Sequence, residues 1–108
     1  MSAVGLASCV TRIDADAVAQ LVAAETVNGV LVARPIIVNE IVLTGDDTVA
    51  LSGQYVFLNG DDLSTLFTAT IRANTVITID AMFMAHRGLA VTTPTGGSVT
   101  ITHSQPGR

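Results

Sequence analysis

Between residues 30 and 104, short runs of alternating apolar and polar residues are separated by turn residues. The alternation is most regular in TATIR (68–72) and TVITID (75–80), where successive side chains point to opposite faces of an extended chain. The runs cover residues 30–34, 36–43, 53–59, 66–73, 74–85, 87–93 and 98–104. Their spacing of about ten residues predicts an all-β fold of about seven to eight strands, arranged as a β-sandwich or a jelly roll.

Residues 14–29 (DADAVAQLVAAETVNG) fit two different local structures. Asp14 as an N-cap, apolar residues at helical spacing and a terminating Asn28-Gly29 pair predict one short helix near residues 15–26. The same Asn-Gly pair, flanked by valines, is also a strong two-residue hairpin turn. The alanine content favours the helix, and a hairpin is the alternative.

The first part of the chain, residues 1–13 (MSAVGLASCVTRI), is small and apolar, and Arg12 is its first charge. We expect an N-terminal arm or edge strand here, followed by a single β-rich domain over residues 14–108. Cys9 follows a Leu-Ala-Ser sequence typical of bacterial lipoprotein cleavage sites. A cationic start and a long apolar stretch, which such a signal needs, do not precede it, so an unmodified thiol is expected.

The composition agrees with a β-rich fold. Thr and Val contribute 14 residues each and Ile contributes 8, so a third of the chain is β-branched. These side chains are stiff at χ1 and fit the pleated, half-buried surface of a sheet.

The charge content is low, since 13% of the residues are charged, against about 25% in a typical soluble domain. A monomer of this mass would expose roughly 5,700 Å² of surface. Because 49% of the residues are hydrophobic, the chain has more apolar material than a small solitary domain needs. We therefore expect part of the outer surface to be covered by copies of the same chain or by a partner.

The charge balance also excludes some partners. The net charge is −4, Lys is absent, and the five Arg residues are scattered along the chain. A phosphate-binding surface needs clustered cations, so we expect no nucleic-acid partner. We expect no membrane partner for the same reason, and no stretch of the sequence is long and apolar enough to span a bilayer.

The pattern Leu-x-Gly-Asp-Asp-x-x-x-Leu occurs twice, at residues 43–51 and 58–66. Gly-Asp-Asp is also the metal-binding turn of viral RNA polymerases, but this chain lacks the length and the basic channel of such an enzyme. We interpret both copies as turns at equivalent corners of a sandwich, where glycine supplies an unusual φ and aspartate bonds its own loop. Calcium binding is the alternative, since loop carboxylates suit that ion.

The remaining polar residues form no recognisable catalytic motif. Cys9, His86 and His103 are too few and too far apart in sequence for a zinc site, and both histidines are expected at exposed or edge-strand positions. The sequence contains no Gly-x-Ser-x-Gly motif and no Walker-type phosphate loop, and residues 93–97 (TPTGG) are expected to form a hairpin connection. We expect no enzyme, no cofactor, and no catalytic, cofactor-binding or metal-binding residues.

Two further patterns concern binding surfaces. Three of the four aromatic residues fall in strands that should be buried, so sugar-stacking platforms are scarce, and a calcium- or glycan-binding module is kept as the alternative function. Residues 82–84 (MFM) form a consecutive apolar run, which strand alternation cannot bury on one face. At least one of these side chains is expected to face a partner, a loop or the second sheet, so the run is the best pointer to an interface.

The C-terminal third, residues 73–104, resembles the strand-rich ends of small virion proteins of tailed bacteriophages. The likeness lies in an Arg-Gly step into a strand, residues 87–91 (RGLAV), and in a final strand with its preceding turn, residues 97–102 (GSVTIT). The resemblance implies a structural protein of the capsid-decorating or fibre type, made in the host cytoplasm and located in the virion. It also implies a homo-oligomer, with a trimer favoured, that contacts a capsid protein.

Overall fold

The structure, a computed structural model, describes residues 8–14, 19–49, 53–80 and 82–104. Within these ranges the chain forms eleven strands and no helix. The strands are β1 (Ser8–Ile13), β2 (Gln20–Leu21), β3 (Ala24–Val27), β4 (Val30–Ala33), β5 (Ile36–Gly45), β6 (Gln54–Asn59), β7 (Thr65–Thr70), β8 (Thr75–Ile79), β9 (Phe83–Ala85), β10 (Leu89–Thr92) and β11 (Gly97–Ser104).

Two larger antiparallel sheets and one separate hairpin account for these strands. In the first sheet the order is β1-β11-β5-β8, and β9 pairs with the first residues of β5 on the same side as β8. In the second sheet the order is β2-β10-β6-β7, and β3 pairs with β4 outside both sheets. The prediction of an all-β, sandwich-like fold is confirmed.

The strand pairs are nested along the chain. Since β8 and β9 both pair with β5, they act as one interrupted strand. With the β3–β4 hairpin set aside, the first strand then pairs with the last (β1 with β11), and β2 pairs with β10. Inside these pairs, β5 pairs with β8 and β9, and β6 pairs with β7. The outer pair therefore joins the two ends of the described chain.

The hydrophobic core contains side chains from both larger sheets. In β5, apolar side chains alternate between the core and the outer face, as an extended strand requires. Full burial of one such aliphatic or aromatic side chain stabilises a fold by roughly 1.5–3 kcal/mol. The largest fully buried residues are Tyr55, Phe57, Ile36, Ile41, Leu43, Ile71, Leu89, Ile101, Val38, Val91 and Val99.

Tyr55 joins the two sheets through its hydroxyl group. The side chain extends from β6 in the second sheet and is fully buried. Its hydroxyl oxygen lies 2.9 Å from the carbonyl oxygen of Thr44 and 2.8 Å from that of Ser98, which belong to β5 and β11 of the first sheet. Burial raises the pKa of this hydroxyl, which keeps it a donor.

The predicted helix near residues 15–26 is wrong over its described part. Residues 20–21 and 24–27 are the strands β2 and β3, and residues 15–18 lie outside the described residues. Asn28 (φ 50°) and Gly29 (φ 80°) both have positive φ, which is the geometry of a tight turn that matches the twist of two paired strands. The hairpin alternative is confirmed, because pairing with β4 and β10 outweighs the helix propensity of alanine.

A close contact holds the base of the β3–β4 hairpin against the sandwich. The amide of Arg34 donates to the carbonyl oxygen of Ala23 at 3.0 Å. A Cβ atom built on either Gly60 or Gly88 would lie 2.6 Å from the Cβ atom of Ala33. The two glycines therefore leave the space into which the hairpin base packs.

The expected hairpin at residues 93–97 is wrong. This segment leads from β10 in the second sheet to β11 in the first sheet, and β10 and β11 are not paired. Gly97 closes a turn by donating its amide to the carbonyl oxygen of Pro94 at 2.9 Å, and Asp46 donates its amide to the carbonyl oxygen of Gly96 at 3.0 Å. Turn residues mark where a strand ends, but they do not determine which sheet receives the next strand.

Candidate interaction surfaces

Both Gly-Asp-Asp segments are turns stabilised by an aspartate side chain. In the first, the Asp46 carboxylate accepts hydrogen bonds from the amide of Thr48 at 2.8 Å and from its hydroxyl. In the second, the Asp62 carboxylate accepts from the amide of Ser64 at 3.0 Å and from its hydroxyl at 2.7 Å. The Ser64 bonds come first among the causes that lower the pKa of Asp62 to about 2, and those from Thr48 lower the pKa of Asp46.

The two turns are not equivalent, contrary to the sequence-based expectation. In the turn after Gly45, the stabilising side chain is Asp46, the first aspartate of the segment. In the turn after Gly60, it is Asp62, the second aspartate of the segment. The first turn follows β5 on the way to the other sheet, and the second joins β6 to its own neighbour β7. Neither glycine has a positive φ; an added Cβ would meet the carbonyl oxygen of Arg72 at 2.7 Å or Ala33 at 2.6 Å. The predicted unusual φ is therefore wrong, and close packing accounts for both glycines.

Arg87 connects the second turn to the loop between β9 and β10. Its Nε atom donates to the Asp61 carboxylate at 2.7 Å, and an Nη atom donates to the Asp62 carboxylate at 2.6 Å. These bonds raise the pKa of Arg87 and fix the loop. Since all three side chains are about half-exposed, the contribution of the ion pairs to stability is modest.

Within the described residues, side chains that could hold a metal ion do not cluster, and two of the four aromatic rings are unavailable for sugar stacking. No group of three or more His, Cys, Asp or Glu side chains comes together within the described ranges. The aspartates of the second turn already bind a cation, since both contact Arg87. Tyr55 and Phe57 are fully buried, so they offer no exposed ring for stacking.

The histidines differ in environment. His86 is exposed, as expected. His103 is 3% exposed and lies in β11, between β1 and β5, so the expectation of an exposed or edge position is wrong for this residue. Its Nε2 atom is 2.9 Å from the Thr11 hydroxyl, and its Nδ1 atom is buried without a partner within the described residues. Burial lowers the pKa of His103. The backbone of Cys9 pairs with His103, and the Cys9 side chain lies outside the described part.

An apolar depression, here called the groove, lies at one edge of the sandwich. It has a volume of about 450 Å³ and is formed where β7 of the second sheet approaches β9 of the first. Phe67 and Phe83 meet edge to face across the sheets, with ring centroids 6.2 Å apart. The residues that line the groove are Asn59, Leu66, Phe67, Phe83, Met84, Ala85, His86 and Arg87.

The Met-Phe-Met run at residues 82–84 contributes to this edge. Phe83 is half-buried and packs against the core, whereas Met82 is 75% exposed and Met84 37% exposed. Phe83 meets Phe67 of the second sheet, so the expectation that at least one of these side chains faces a partner, a loop or the second sheet is confirmed. Further exposed apolar residues on the neighbouring strands and loop are Leu63, Leu66, Val76 and Ile77.

A second exposed apolar surface is the β3–β4 hairpin, here called the ridge and defined as residues 24–33. Every residue from 24 to 32 is exposed, and Leu31 is exposed by 63%. The other large apolar side chains of the ridge are Val27, Val30 and Val32. Sequence reasoning missed this surface, although β4 (VLVA) is apolar on both faces and therefore lacks the alternation of a half-buried strand.

A polar depression of about 390 Å³ lies beside the first turn. Arg12 and Asp14 form an exposed ion pair at its rim, with Nε and Oδ1 3.1 Å apart. The other lining residues are Thr44, Asp46, Thr48, Gly96, Gly97 and Ser98. Because both charges of the pair and the Asp46 carboxylate already have partners, the depression offers no free charged group for a ligand.

Comparison with protein-family models, curated proteins and solved structures gives no match to this chain. A search of the described residues for a helix that could cross a bilayer also finds none. The chemistry of the described surface is therefore the basis on which function can be inferred.

Proposed function

We propose that this chain is a structural, non-enzymatic subunit of a virus particle, of the capsid-decorating or fibre type. It associates with copies of itself, with a trimer favoured, and contacts a capsid protein in the virion after synthesis in the host cytoplasm. The observation that carries this proposal is the combination of nested strand pairing with an exposed apolar ridge and groove.

The nested order supports a finer description of the fold. With β8 and β9 counted as one strand, the two sheets contain eight antiparallel strands with the first paired to the last, and this order supports the proposal of a jelly roll. Viral capsid domains commonly use this fold, as do lectins. We favour the first of these two classes, because Tyr55 and Phe57 are fully buried and Phe67 and Phe83 pack partly against the core.

The surface supports self-association. Charged side chains, Pro or covering loops normally protect edge strands from pairing with other chains. At the groove edge, β7 (TLFTAT), β8 (TVITI) and β9 (FMA) carry no charge and no Pro. An edge of this kind is stable in solution when another molecule covers it.

The mass of the purified chain in solution tests the proposal. We expect native mass spectrometry and light scattering to give a closed multiple of 11.1 kDa at micromolar concentration. A monomer that persists up to about 100 μM, where even weak specific interfaces associate, would overturn the proposal of a self-associating subunit.

The position of the gene gives an independent test of the virion assignment. We expect the neighbouring reading frames to encode capsid and portal proteins. A neighbourhood of metabolic genes, with no structural virus genes, would contradict the assignment even if the chain forms oligomers.

A further inference from the structure

The ridge is too small to be stable through its own contacts. An isolated two-stranded hairpin is marginally stable in water, and it needs a third strand or a packed face to persist. The ridge forms its own two-stranded sheet, in which residues 24–32 are exposed and Ala33 at the base is half-buried. Its valines and Leu31 therefore offer an apolar surface that a second molecule would stabilise.

The groove has the same apolar chemistry as the ridge. Leu66, Phe67, Phe83, Met84 and Ala85 supply an apolar floor in an open depression of about 450 Å³. A depression of this size accommodates a few aliphatic side chains from the tip of a hairpin. The groove does not hold the ridge of its own chain, because the ridge residues are exposed.

Neither surface presents an unpaired charge to the other. In the ridge, Glu25 has a partner in Arg34, with Oε1 and Nε 3.9 Å apart. At the rim of the groove, Arg87 is bound by Asp61 and Asp62. Burying the two surfaces against each other therefore leaves no isolated charge in an apolar contact, which would be costly.

We propose that the ridge of one copy occupies the groove of a second copy. This inference rests on the self-association proposed above and names the surfaces that perform it. A contact between two different surfaces of the same chain leaves a free ridge and a free groove until the assembly closes as a ring or a reciprocal pair.

The size of the contact agrees with an assembly that depends on closure. The ridge offers nine exposed residues, and eight residues line the groove. A standard stable interface uses about 20–30 residues on each side. One ridge–groove contact is therefore small and weak, and a copy in a closed assembly is held by two such contacts, one on its ridge and one in its groove.

Single substitutions on each surface test the proposal. Leu31→Glu in the ridge and Met84→Glu in the groove place a carboxylate in the contact, and each is expected to weaken self-association by at least about tenfold. Leu66→Glu is a second groove variant in case Met84→Glu does not fold. Val10→Glu is the matched control, because Val10 is 66% exposed and lies on β1, at the opposite edge of the first sheet.

Mixing the variants distinguishes this contact from a symmetric one. The Leu31→Glu chain keeps an intact groove, and the Met84→Glu chain keeps an intact ridge. At about 1 mM, where a single weak contact is populated, we expect each variant alone to sediment as a monomer and the mixture to form a complex of twice the monomer mass. A mixture that remains monomeric would overturn the inference.

The possible outcomes separate the two proposals. If the wild type assembles and both variants assemble equally well, the ridge–groove contact is wrong while self-association stands. An assembly that Val10→Glu disrupts as strongly as Leu31→Glu also overturns the contact. If the wild type is monomeric at every concentration, the proposed self-association fails first.

Discussion

Glycine residues serve two separate purposes in this molecule. Gly29 has φ +80° in the turn of the ridge, and a Cβ atom there would meet nothing within 4 Å. Gly88 has nearly the same φ, +81°, but a Cβ atom there would lie 2.6 Å from the Cβ atom of Ala33. The backbone conformation alone therefore favours glycine at position 29, whereas both the backbone conformation and close packing favour it at position 88.

We predict that Gly88→Ala destabilises the fold more than Gly29→Ala does. A left-handed backbone conformation costs a non-glycine residue about 1–2 kcal/mol, and both variants share this term. Gly88→Ala adds a clash with the hindered base of the ridge, which overpacking studies place at about 1–3 kcal/mol. Urea unfolding measures both values, and equal destabilisation would contradict the packing contact at Ala33.

Because the His103 side chain is buried, we predict that the stability of the fold depends on pH. Its pKa is lowered in the folded state because burial disfavours the charged form, so the unfolded chain binds this proton more readily. The contribution of His103 to stability is therefore present above the unfolded pKa of about 6.5 and is lost as the pH falls below it, by at most about 1.4 kcal/mol per pH unit.

Two histidine variants isolate this effect. We expect His103→Gln to flatten the change in unfolding free energy between about pH 7.5 and about pH 5, because Gln does not titrate. His86→Gln, a substitution of the exposed histidine, is the control variant. An unchanged profile in His103→Gln would show that another group causes the pH dependence.

At the scale of elements, local patterns predicted the strands but not their partners. The runs from residue 30 to 104 correspond to β4 through β11, since side-chain alternation follows from backbone geometry alone. The segment at residues 20–27 was harder to predict, because its alanines favour a helix while its pairing with β4 and β10 depends on residues elsewhere in the sequence.

The candidate surfaces were also only partly predictable from local sequence patterns. The exposure of the run at residues 82–84 followed from the failure of alternation over three apolar residues. The groove could not be predicted, because Phe67 and Phe83 lie on strands of different sheets that meet through the fold of the whole chain. The buried position of His103 was missed because a central strand and an edge strand can have the same local sequence.

We predict that the ridge can be removed without unfolding the sandwich. Ala24 and Ala33 are paired in register, so a two-residue Asn-Gly turn can replace residues 25–32 between them. Because the removed side chains are exposed, we expect a change in unfolding free energy within about 1 kcal/mol, together with loss of self-association. Thermal unfolding and light scattering measure the two effects, and an unfolded product would show that the ridge is required for the core.

For the whole molecule, the accessible surface area is that of an ordinary monomer, but many large apolar side chains are exposed on this surface. The chain exposes 6,022 Å², close to the roughly 5,700 Å² expected for a compact monomer of this mass. The fold therefore leaves the apolar residues of the ridge and the groove edge on this surface without enlarging it. Because only 13% of the residues are charged, apolar side chains occupy surface positions that charged side chains occupy in most soluble domains.

We predict that salt does not dissociate the proposed assembly. Apolar contacts are not screened, whereas contacts between exposed charges weaken as ionic strength rises. The dissociation constant should change by less than about threefold between about 50 mM and about 500 mM NaCl. Sedimentation velocity at both salt concentrations measures this, and dissociation at the higher concentration would indicate an interface formed by charged groups.

The pairing of β1 with β11 has a practical consequence. Ser8 and Ser104 are register partners, so the first and last described positions are adjacent on one edge of the molecule. A peptide fused at Ser8 or at Ser104 is thus attached near the same point, and a short linker can join these two positions while new chain ends open at the ridge turn. In an assembly of many copies, each fused peptide would be displayed once per copy at an equivalent position.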